Sequence, residues 1–481
     1  MMERPFLSVD LGAGSGRACL GSFRNGKLSI NEIHRFENHP VRLGGTVYWD
    51  FLYLWDNVLT SLKLCASNGI TDLAAVGIDS WNIDFGLVDE QGRLLGNPIS
   101  YRDPGATWAS EEISRRISSF DLYQETGLPV SPITGLARLV QMGKEGHTRH
   151  LELARHYLPI ADLIRFFLTG DASVEETIAW GTQLLDIGRR SWSIRLIELF
   201  DFPQRIFPEL VPPGRIAGTL REEVAFLTGL NICPIATVAE HDTASAVFAA
   251  HLLDPEAAVL SVGTWSIMGA LLEQPLSSQK AQKYGFMNEI ASGAFLLGKN
   301  LMGFYLLEEF IKRWRAKGME CGYATVMRLA RAAPAGGMQL DPNDPLFFSP
   351  PNLWAAFQEY CRKTSQKPID DIGTTARALF DGLANSYAQA LAELNELLGK
   401  DFRRIVMVGG GVRNGFLCHL VAHACGVELT TGPAEAASVG NLCIQALALE
   451  RFRVEDLGPV IRQSFPVGTV SHSQSNGGEK P

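Results

Sequence analysis

Two short segments of this chain share one pattern, and that pattern restricts the possible fold more than any other feature. In each segment, an apolar run enters a turn of glycine and hydroxyl residues and returns as a second apolar run. The first lies at residues 6–21 and the second at residues 258–270. Each predicts a β-hairpin whose turn offers backbone N–H groups and hydroxyls to phosphate oxygens. Two copies, roughly half a chain apart, predict two related domains that share a nucleotide.

The length and the order of the apolar runs predict a duplicated α/β architecture. A chain of 481 residues is longer than one ordinary core accommodates, so two domains are expected. After each hairpin, strand signals alternate with helical periodicity, which is typical of α/β domains. We place the first domain at residues 1–246, including a mostly helical insert at 107–236, and the second at 247–455. Residues 466–481 are polar and contain glycine, and we expect them to be disordered.

Composition excludes several classes of partner. A net charge of −9 argues against binding to nucleic acid or an anionic membrane, which needs clustered Lys and Arg. The apolar runs are strand-sized and interrupted, so none is expected to span a bilayer. A strand signal already begins at Phe6, so we expect no signal peptide and a cytoplasmic protein. The eight cysteines form no Cys-x-x-Cys pair, which favours free thiols over disulfides or a metal site.

Two aspartates stand where strands end. Asp10 opens the first glycine turn, where a carboxylate can hold magnesium directly or through water, or can simply form the turn. Arg17 closes that turn, where it can pair with a phosphoryl group or remain a surface charge. Asp242 follows an apolar strand at the start of a helix of small residues. It is a candidate general base for a substrate hydroxyl, and a helix cap is the alternative interpretation.

Other candidates carry weaker signals. Thr264 lies in the second hairpin, where its hydroxyl can meet a terminal phosphate. The triple glycine at 409–411 follows a buried strand and permits close approach of a nucleotide to the backbone. Trp81 and Asp84 follow a first-domain strand and combine an aromatic face with a carboxylate, as sugar sites commonly do. Ordinary turns and ordinary surface residues are the alternatives for all of these.

The order of seven motifs along the chain resembles that of the FGGY carbohydrate kinases. The resemblance runs from about Val9 to Gln445, nearly the whole chain. The motifs, in chain order, are DLGAGSGR at 10–17, DSWNIDF at 79–85, YRD at 101–103, HDTASAV at 241–247, GTWS at 263–266, KNLMG at 299–303 and GGGVRN at 409–414.

The resemblance implies an α/β protein of two actin-like (ribonuclease H-like) domains that bind their ligands in an interdomain cleft. It implies a kinase that uses Mg-ATP to phosphorylate O1 of L-rhamnulose. The implied partners are therefore ATP, Mg²⁺ and a small ketose, with no nucleic acid and no membrane. A monomer or a homodimer is expected.

The resemblance also implies roles for individual residues. Asp242 would be the catalytic base. ATP would be bound by residues of both hairpins and of the second half: Ala13, Gly14, Ser15, Gly16, Arg17, Thr264, Glu308 and Gly411. The sugar site would be lined by His241, Asp242, Thr243 and Asn300, and Trp81, Asn82 and Asp84 are the further candidates for sugar contact.

Two residues depart from the pattern of the family members that the chain resembles most. Asn82 stands where those proteins have glycine, and Glu308 stands where glutamine is common. Because of Asn82, another ketose, such as L-fuculose or L-xylulose, is an alternative substrate. Glu308 is expected to face the adenosine end or solvent, because a carboxylate beside phosphates is unfavourable. A sugar-binding protein without turnover, and an actin-like ATPase acting on protein partners, are the alternatives from other classes.

Overall fold

We describe a computed structural model of the chain, which covers residues 4–144, 148–348, 350 and 352–472. The described residues form two compact units, each built from three separate stretches of sequence. Unit 1 takes its residues from Met1–Leu253, Leu271–Leu297 and Ala436–Phe465. Unit 2 takes its residues from Asp254–Ala270, Gly298–Glu435 and Pro466–Pro481. A single domain boundary at residue 246 stays a prediction.

The strands are numbered in chain order. They are β1 Phe6–Leu11, β2 Ser15–Arg24, β3 Lys27–Glu37, β4 Pro40–Leu43, β5 Thr46–Trp49, β6 Val76–Ser80, β7 Phe85–Asp89, β8 Ala154–Pro159, β9 Val174–Glu175, β10 Leu185–Asp186, β11 Ser191–Trp192, β12 Leu210–Val211, β13 Arg215–Thr219, β14 Pro234–Thr237, β15 Ala258–Val262, β16 Trp265–Leu272, β17 Phe286–Ala291, β18 Ala294–Met302, β19 Arg404–Val408, β20 Glu428–Thr431 and β21 Gly468–Val470.

The α-helices are numbered in the same way. They are α1 Phe51–Ser67, α2 Thr107–Arg116, α3 Ser119–Thr126, α4 Gly135–Lys144, α5 Thr148–Leu153, α6 Ile160–Thr169, α7 Glu176–Ala179, α8 Ile194–Leu199, α9 Glu222–Thr228, α10 Asp242–Leu253, α11 Gln279–Tyr284, α12 Tyr305–Ala316, α13 Tyr323–Ala332, α14 Leu353–Lys363, α15 Ile372–Leu398, α16 Gly415–Cys425, α17 Ala436–Ala448 and α18 Val454–Ser464.

The main sheet of unit 1 has six strands in the order β13-β14-β6-β1-β2-β3. β1 and β2 form the first hairpin, and β6 and β14 continue the sheet in parallel with β1. Asn25 and Gly26, both at positive φ, make the tight turn from β2 to β3. The β1 sequence FLSVDL is buried along its whole length, as expected for a central strand covered on both faces.

The second sheet has seven strands in the order β17-β18-β16-β15-β19-β20-β21. Its centre repeats the first: β15 and β16 form an antiparallel hairpin, and β19 and β20 follow in parallel with β15. In both sheets the last parallel strand is paired with an antiparallel one, β13 on β14 and β21 on β20. The predicted duplication of an α/β domain is therefore confirmed.

Two segments differ from what the sequence predicts. The insert at 107–236, expected to be mostly helical, also contains β8 to β13 and part of β14. Several of these strands have only two residues, too few for an alternating pattern to register. In place of the disorder expected from residue 466, residues 468–470 form β21, because β20 offers a free edge for antiparallel pairing. Residues 473–481 lie outside the described residues.

Two predictions from composition can be compared with the structure. The cysteines carry free thiols, and all except the half-buried Cys425 are buried. Across the part of the chain that the structure describes, we find no helix with the length and apolar character needed to cross a bilayer.

Candidate active site

The turn between β1 and β2 has a fixed shape. The Gly12 N–H donates to the Ser15 carbonyl at 3.0 Å, and Asn38 braces the turn by donating from Nδ2 to the Gly12 carbonyl at 2.9 Å. A Cβ at residue 16 would lie 2.2 Å from the Phe36 ring, so only glycine fits there without rearrangement. Gly14 and Ser15 remain exposed. The turn is thus rigid at its base and open at its tip, as a phosphate-binding turn requires.

Asp10 and Arg17 face each other across this hairpin. They are register partners, and Arg17 Nε donates to Asp10 Oδ2 at 2.9 Å. Asp10 is also the register partner of Asp79 on the parallel strand β6. Burial and the negative charge of Asp10 hold the pKa of Asp79 well above its usual value. The ends of β1 and β6 therefore bring two carboxyl groups together, and Arg17 pairs with that of Asp10.

Asp79 was not among the predicted site residues. Its Oδ2 accepts a hydrogen bond from Asn441 Nδ2 at 2.5 Å, whereas its Oδ1 has no hydrogen-bond partner among the described residues. Asn441 belongs to α17, far along the chain. A sequence signal existed, because Asp79 interrupts the end of a buried strand, where a carboxylate needs a partner or a function.

Asp242 begins α10, directly after His241. Its Oδ1 accepts hydrogen bonds from Thr243, from N at 2.5 Å and from Oγ1 at 3.1 Å. The side chain keeps 31% of its surface exposed, so a substrate can reach it. The surrounding protein shields the carboxylate from bulk water and Asp10 repels its charge, which together raise the pKa of Asp242 to about 7. A carboxylate in this state is suited to accept a proton near neutral pH.

His241 contacts groups from several parts of unit 1. Its Nδ1 lies 3.4 Å from Nδ2 of Asn82 and 3.5 Å from Oε2 of Glu289. The Trp180 ring stacks on the imidazole with ring centroids 6.2 Å apart. Burial lowers the pKa of His241 to about 3, so the ring is neutral at physiological pH. The structure therefore unites the predicted residues Asn82, His241 and Asp242 and adds Trp180 and Glu289, which sequence reasoning missed.

A buried ionic network fixes the backbone that carries His241 and Asp242. Arg165 Nε donates to Oε1 of Glu240 at 2.8 Å, and its other nitrogens donate to Asp162 and to Asp171. Glu175 Oε2 accepts the backbone N–H of Glu240 at 3.0 Å. Asp162 and Arg165 stand within the otherwise apolar sequence of α6, a signal that the sequence analysis did not use.

Trp81 and Asp84 are engaged with each other rather than with solvent. Asp84 Oδ2 accepts hydrogen bonds from the indole N–H groups of Trp81 at 2.7 Å and of Trp49 at 2.6 Å. Both Trp81 and Asp84 are buried, at 6% and 3% exposure, and the Trp81 ring contacts that of Trp49. This arrangement stabilises the segment that presents Asn82.

Unit 2 contains the second hairpin. Thr264 is exposed in its turn, where the Gly263 N–H donates to the Trp265 carbonyl at 2.9 Å. A Cβ at Gly303 would lie 2.3 Å from the Gly263 carbonyl oxygen, so the chain after β18 packs directly beneath this turn. Gly411 is similarly constrained, because a Cβ there would lie 2.6 Å from Val262.

Two further predicted residues, Asn300 and Glu308, lie in unit 2. Glu308 is exposed in the first turn of α12, and Asn300 is exposed on β18. Their predicted roles, ATP contact for Glu308 and sugar contact for Asn300, stay predictions.

Comparison with known proteins agrees with this geometry. Residues 6–249 match the N-terminal domain of the FGGY family of carbohydrate kinases, and residues 258–449 match the C-terminal domain. The chain belongs to the FGGY family of carbohydrate kinases. This FGGY chain is therefore an ATP-dependent sugar kinase, with ATP and a small-molecule sugar as its substrates.

Its curated relatives include rhamnulokinases. The protein of that name from Bacteroides thetaiotaomicron is 36% identical over 97% of this chain and 96% of its own length. The rhamnulokinase from Enterococcus faecalis is 34% identical over 96% of this chain and 93% of its own length.

Solved structures share the fold at low sequence identity. A ligand-bound xylulose kinase from Lactobacillus acidophilus matches with a TM-score of 0.80 and 18% identity, over 96% of this chain and 93% of its own. The Plasmodium falciparum glycerol kinase with ADP matches with a TM-score of 0.80 and 16% identity, over 97% of this chain and 94% of its own. The two-domain actin-like α/β fold is thereby established.

Proposed function

We propose that this kinase transfers the γ-phosphate of ATP to O1 of L-rhamnulose, giving L-rhamnulose 1-phosphate and ADP. The observation that carries the proposal is the position of Asp242, an accessible carboxylate with a pKa raised to about 7, beside neutral His241 and close to the charge of Asp10. The choice of sugar is supported by the relatives named rhamnulokinase.

Asp242 is the base in the proposed reaction. It takes the proton from the O1 hydroxyl as O1 forms a bond to the γ-phosphorus and the bond from that phosphorus to the ADP oxygen breaks. The proton ends on Asp242, and the negative charge of the leaving group stays on ADP. His241, being neutral, can hydrogen-bond the sugar without adding a positive charge that would lower the pKa of the base.

Binding of ATP is assigned to both units. In unit 1 the turn at Ala13, Gly14, Ser15 and Gly16, with Arg17, is proposed to hold phosphate oxygens. In unit 2, Thr264, Glu308 and Gly411 are proposed to contact the nucleotide. Phosphoryl transfer passes through a loose transition state, so catalysis consists mainly of alignment and charge stabilisation by such groups.

The residues around Asp10 fit a magnesium ion. Asp79 offers an unpartnered carboxyl oxygen next to Asp10, and a cation there would relieve the repulsion that helps to raise the pKa of Asp79. Among the described residues no three His, Cys, Asp or Glu side chains form a ligand group, so phosphates and water would complete the coordination. When bound, magnesium would neutralise phosphate charge, with Asp10 holding it directly or through water.

The sugar is assigned to residues of both units. Asn82, His241, Asp242 and Thr243, with Asn300, are proposed to contact the ketose directly. Trp81 and Asp84 were predicted to do the same, and their mutual hydrogen bond supports a role in presenting Asn82. Asn82 lies 3.4 Å from His241, so it is well placed to influence which ketose fits, and L-fuculose or L-xylulose is the alternative substrate.

A ketose panel tests the proposal. Purified protein with Mg-ATP is offered L-rhamnulose, L-fuculose, L-xylulose and D-xylulose, and ADP release is followed against a reaction without sugar. We expect kcat/KM for L-rhamnulose to exceed that for the others by at least about tenfold. A product carrying phosphate at C1, located by phosphorus NMR, completes the assignment. A preference for another ketose would change the assigned substrate and leave the proposed mechanism in place.

Sugar binding without ADP release would favour a non-catalytic sugar-binding protein. Calorimetry with each ketose in the presence and absence of Mg-ATP separates this outcome from catalysis. A cytoplasmic location and a monomeric or homodimeric state stay predictions, and light scattering of the purified chain measures the second.

A further inference from the structure

Two buried polar groups beside His241 have no hydrogen-bond partner within the described part of the chain. They are Oε2 of Glu289 and the indole N–H of Trp180. Glu289 is 3% exposed and Trp180 is 4% exposed. Buried polar groups in folded proteins are nearly always paired, because an unpaired one forfeits its hydrogen bonds to water. Two such groups in one place indicate a missing polar partner.

Both groups contact the residue that precedes Asp242. Oε2 of Glu289 lies 3.5 Å from Nδ1 of His241. The Trp180 ring stacks on the His241 ring at an interplanar angle of 23°. β17, which carries Glu289, packs against α10, which begins at Asp242. The unpaired groups therefore border the region where the acceptor hydroxyl would meet Asp242.

We propose that the carboxyl group of Glu289 and the indole N–H of Trp180 hydrogen-bond to hydroxyl groups of the ketose and determine sugar specificity. This inference rests on the proposed function and extends it by two residues. A sugar hydroxyl both donates and accepts, so neighbouring hydroxyls of a polyol can pair with both groups. An apolar ligand would leave both unpaired.

The environment of Glu289 suits an uncharged substrate. Burial, reinforced by the charge of Asp242, raises the pKa of Glu289 to about 8. The protonated carboxyl can both donate and accept, and it places no second negative charge beside the base.

The region around Gly181, the residue after Trp180, is closely packed. A Cβ at Gly181 would lie 2.3 Å from the Asn82 carbonyl oxygen and 2.7 Å from its Cγ. Asn82 fills the space that the glycine leaves, with Nδ2 directed at His241. Asn82, Trp180, His241 and Glu289 thus form one polar wall.

The test measures ketose affinity in the absence of ATP. Calorimetry compares the wild type with Glu289→Leu, which removes hydrogen bonding, Glu289→Gln, which retains a donor and an acceptor, and Trp180→Phe. Trp314→Phe is the matched control, because Trp314 is a fully buried indole in unit 2 whose N–H also has no partner among the described residues. Circular dichroism and ATP affinity establish that each variant is folded.

We expect Glu289→Leu and Trp180→Phe each to weaken ketose binding by about tenfold or more, the effect of one lost hydrogen bond. Glu289→Gln should stay within about threefold of the wild type, and Trp314→Phe should not change. Unchanged affinity in Glu289→Leu and Trp180→Phe would overturn the inference while leaving the proposed kinase intact.

A second measurement uses the wild type alone, in case a variant does not fold. Ketoses that lack or invert single hydroxyls are compared with the parent sugar, and at least two positions should each lose about tenfold in affinity. Equal affinity across the series overturns the inference. If the wild type phosphorylates no ketose, the proposed function fails, and the same comparison is made with the sugar that binds most tightly.

Discussion

Arg165 Nε lies 2.8 Å from Oε1 of Glu240, two residues before Asp242, and neither side chain is exposed to solvent by more than 1%. The guanidinium also pairs with Asp162 and Asp171. Burial of several charges is costly unless every one is paired, so this network holds a single arrangement. Its position next to His241 and Asp242 links the stability of unit 1 to the geometry of the proposed base.

Removing Arg165 should therefore destabilise the protein strongly. We expect Arg165→Met to lower the free energy of unfolding by about 3–5 kcal/mol, because unpaired carboxylates would remain buried. Equilibrium unfolding in urea measures this. Arg189→Met is the control, since Arg189 is 83% exposed and its pair with Asp186 should contribute little. Equal stability of the two variants would contradict the structural role of the network.

Asp242→Asn should fold normally and lose ketose-dependent ADP formation by at least about a hundredfold, because the amide cannot accept the hydroxyl proton. Steady-state kinetics with saturating ketose measures the loss. Asp371→Asn provides the matched control, because Asp371 also lies at a helix N-terminus and accepts the Thr374 N–H at 2.7 Å. Turnover near that of the wild type in Asp242→Asn would refute the assignment of the base.

The raised pKa of Asp242 predicts a pH dependence near neutrality. The base works only when it is deprotonated, so kcat/KM should level off above about pH 7, the pKa of Asp242, and fall about tenfold per pH unit below it. Rates measured from pH 5.5 to 9, with enzyme returned to pH 8 to check recovery, give the profile. A flat profile between pH 5.5 and 7 would show that no group with this pKa limits the reaction.

Gly181→Ala should selectively disturb the polar wall formed by Asn82, Trp180, His241 and Glu289. The added Cβ would meet both the backbone and the side chain of Asn82, at a cost of about 1–3 kcal/mol in stability. We expect a higher KM for the ketose and an unchanged KM for ATP. Gly188→Ala is the control, because Asp186 Oδ1, at 3.5 Å, is the one described atom beyond the adjacent residues that lies within 4 Å of the added Cβ. A rise in the ATP KM alone would place Gly181 in a different site.

Gly303→Ala should have the converse effect in unit 2. Its Cβ would press on the carbonyl oxygens of Gly263 and Thr264, at 2.3 and 2.8 Å, and distort the second hairpin turn. The KM for ATP should rise several-fold while binary binding of the ketose is unaffected. Gly322→Ala should behave as the wild type, because no described atom beyond the adjacent residues lies within 4 Å of the added Cβ. Unaltered ATP kinetics would argue against nucleotide contact at Thr264.

Much of the site can be predicted from the sequence because its residues lie in turns and at the ends of strands. Asp10 and Arg17 flank a glycine turn, and Asp242 interrupts the passage from an apolar strand to a helix of small residues. Such positions depend on local conformation, which a single sequence encodes. The register that pairs Asp10 with Arg17 follows directly from the length of the hairpin.

Other site residues had no local signal. In the sequence, Glu289 is one polar residue in an ordinary strand pattern. It lies beside His241 because the segment Leu271–Leu297 folds into unit 1. Asn441 reads as a polar residue in a helix, yet it donates to Asp79. These contacts join residues whose sequence neighbours give no information about the partner.

The sequence by itself determined the duplicated hairpins, the alternation of strands and helices, and the positions of Asp10 and Asp242. It could do so because apolar periodicity and turn chemistry act over a few residues. The tertiary structure alone decided which buried charges are paired, as in Arg165 with Glu240, and which polar groups remain unpaired, as in Glu289 and Trp180. Burial and pairing depend on groups distant in sequence, and they set the pKa values and the unmet hydrogen bonds from which the chemistry of the site follows.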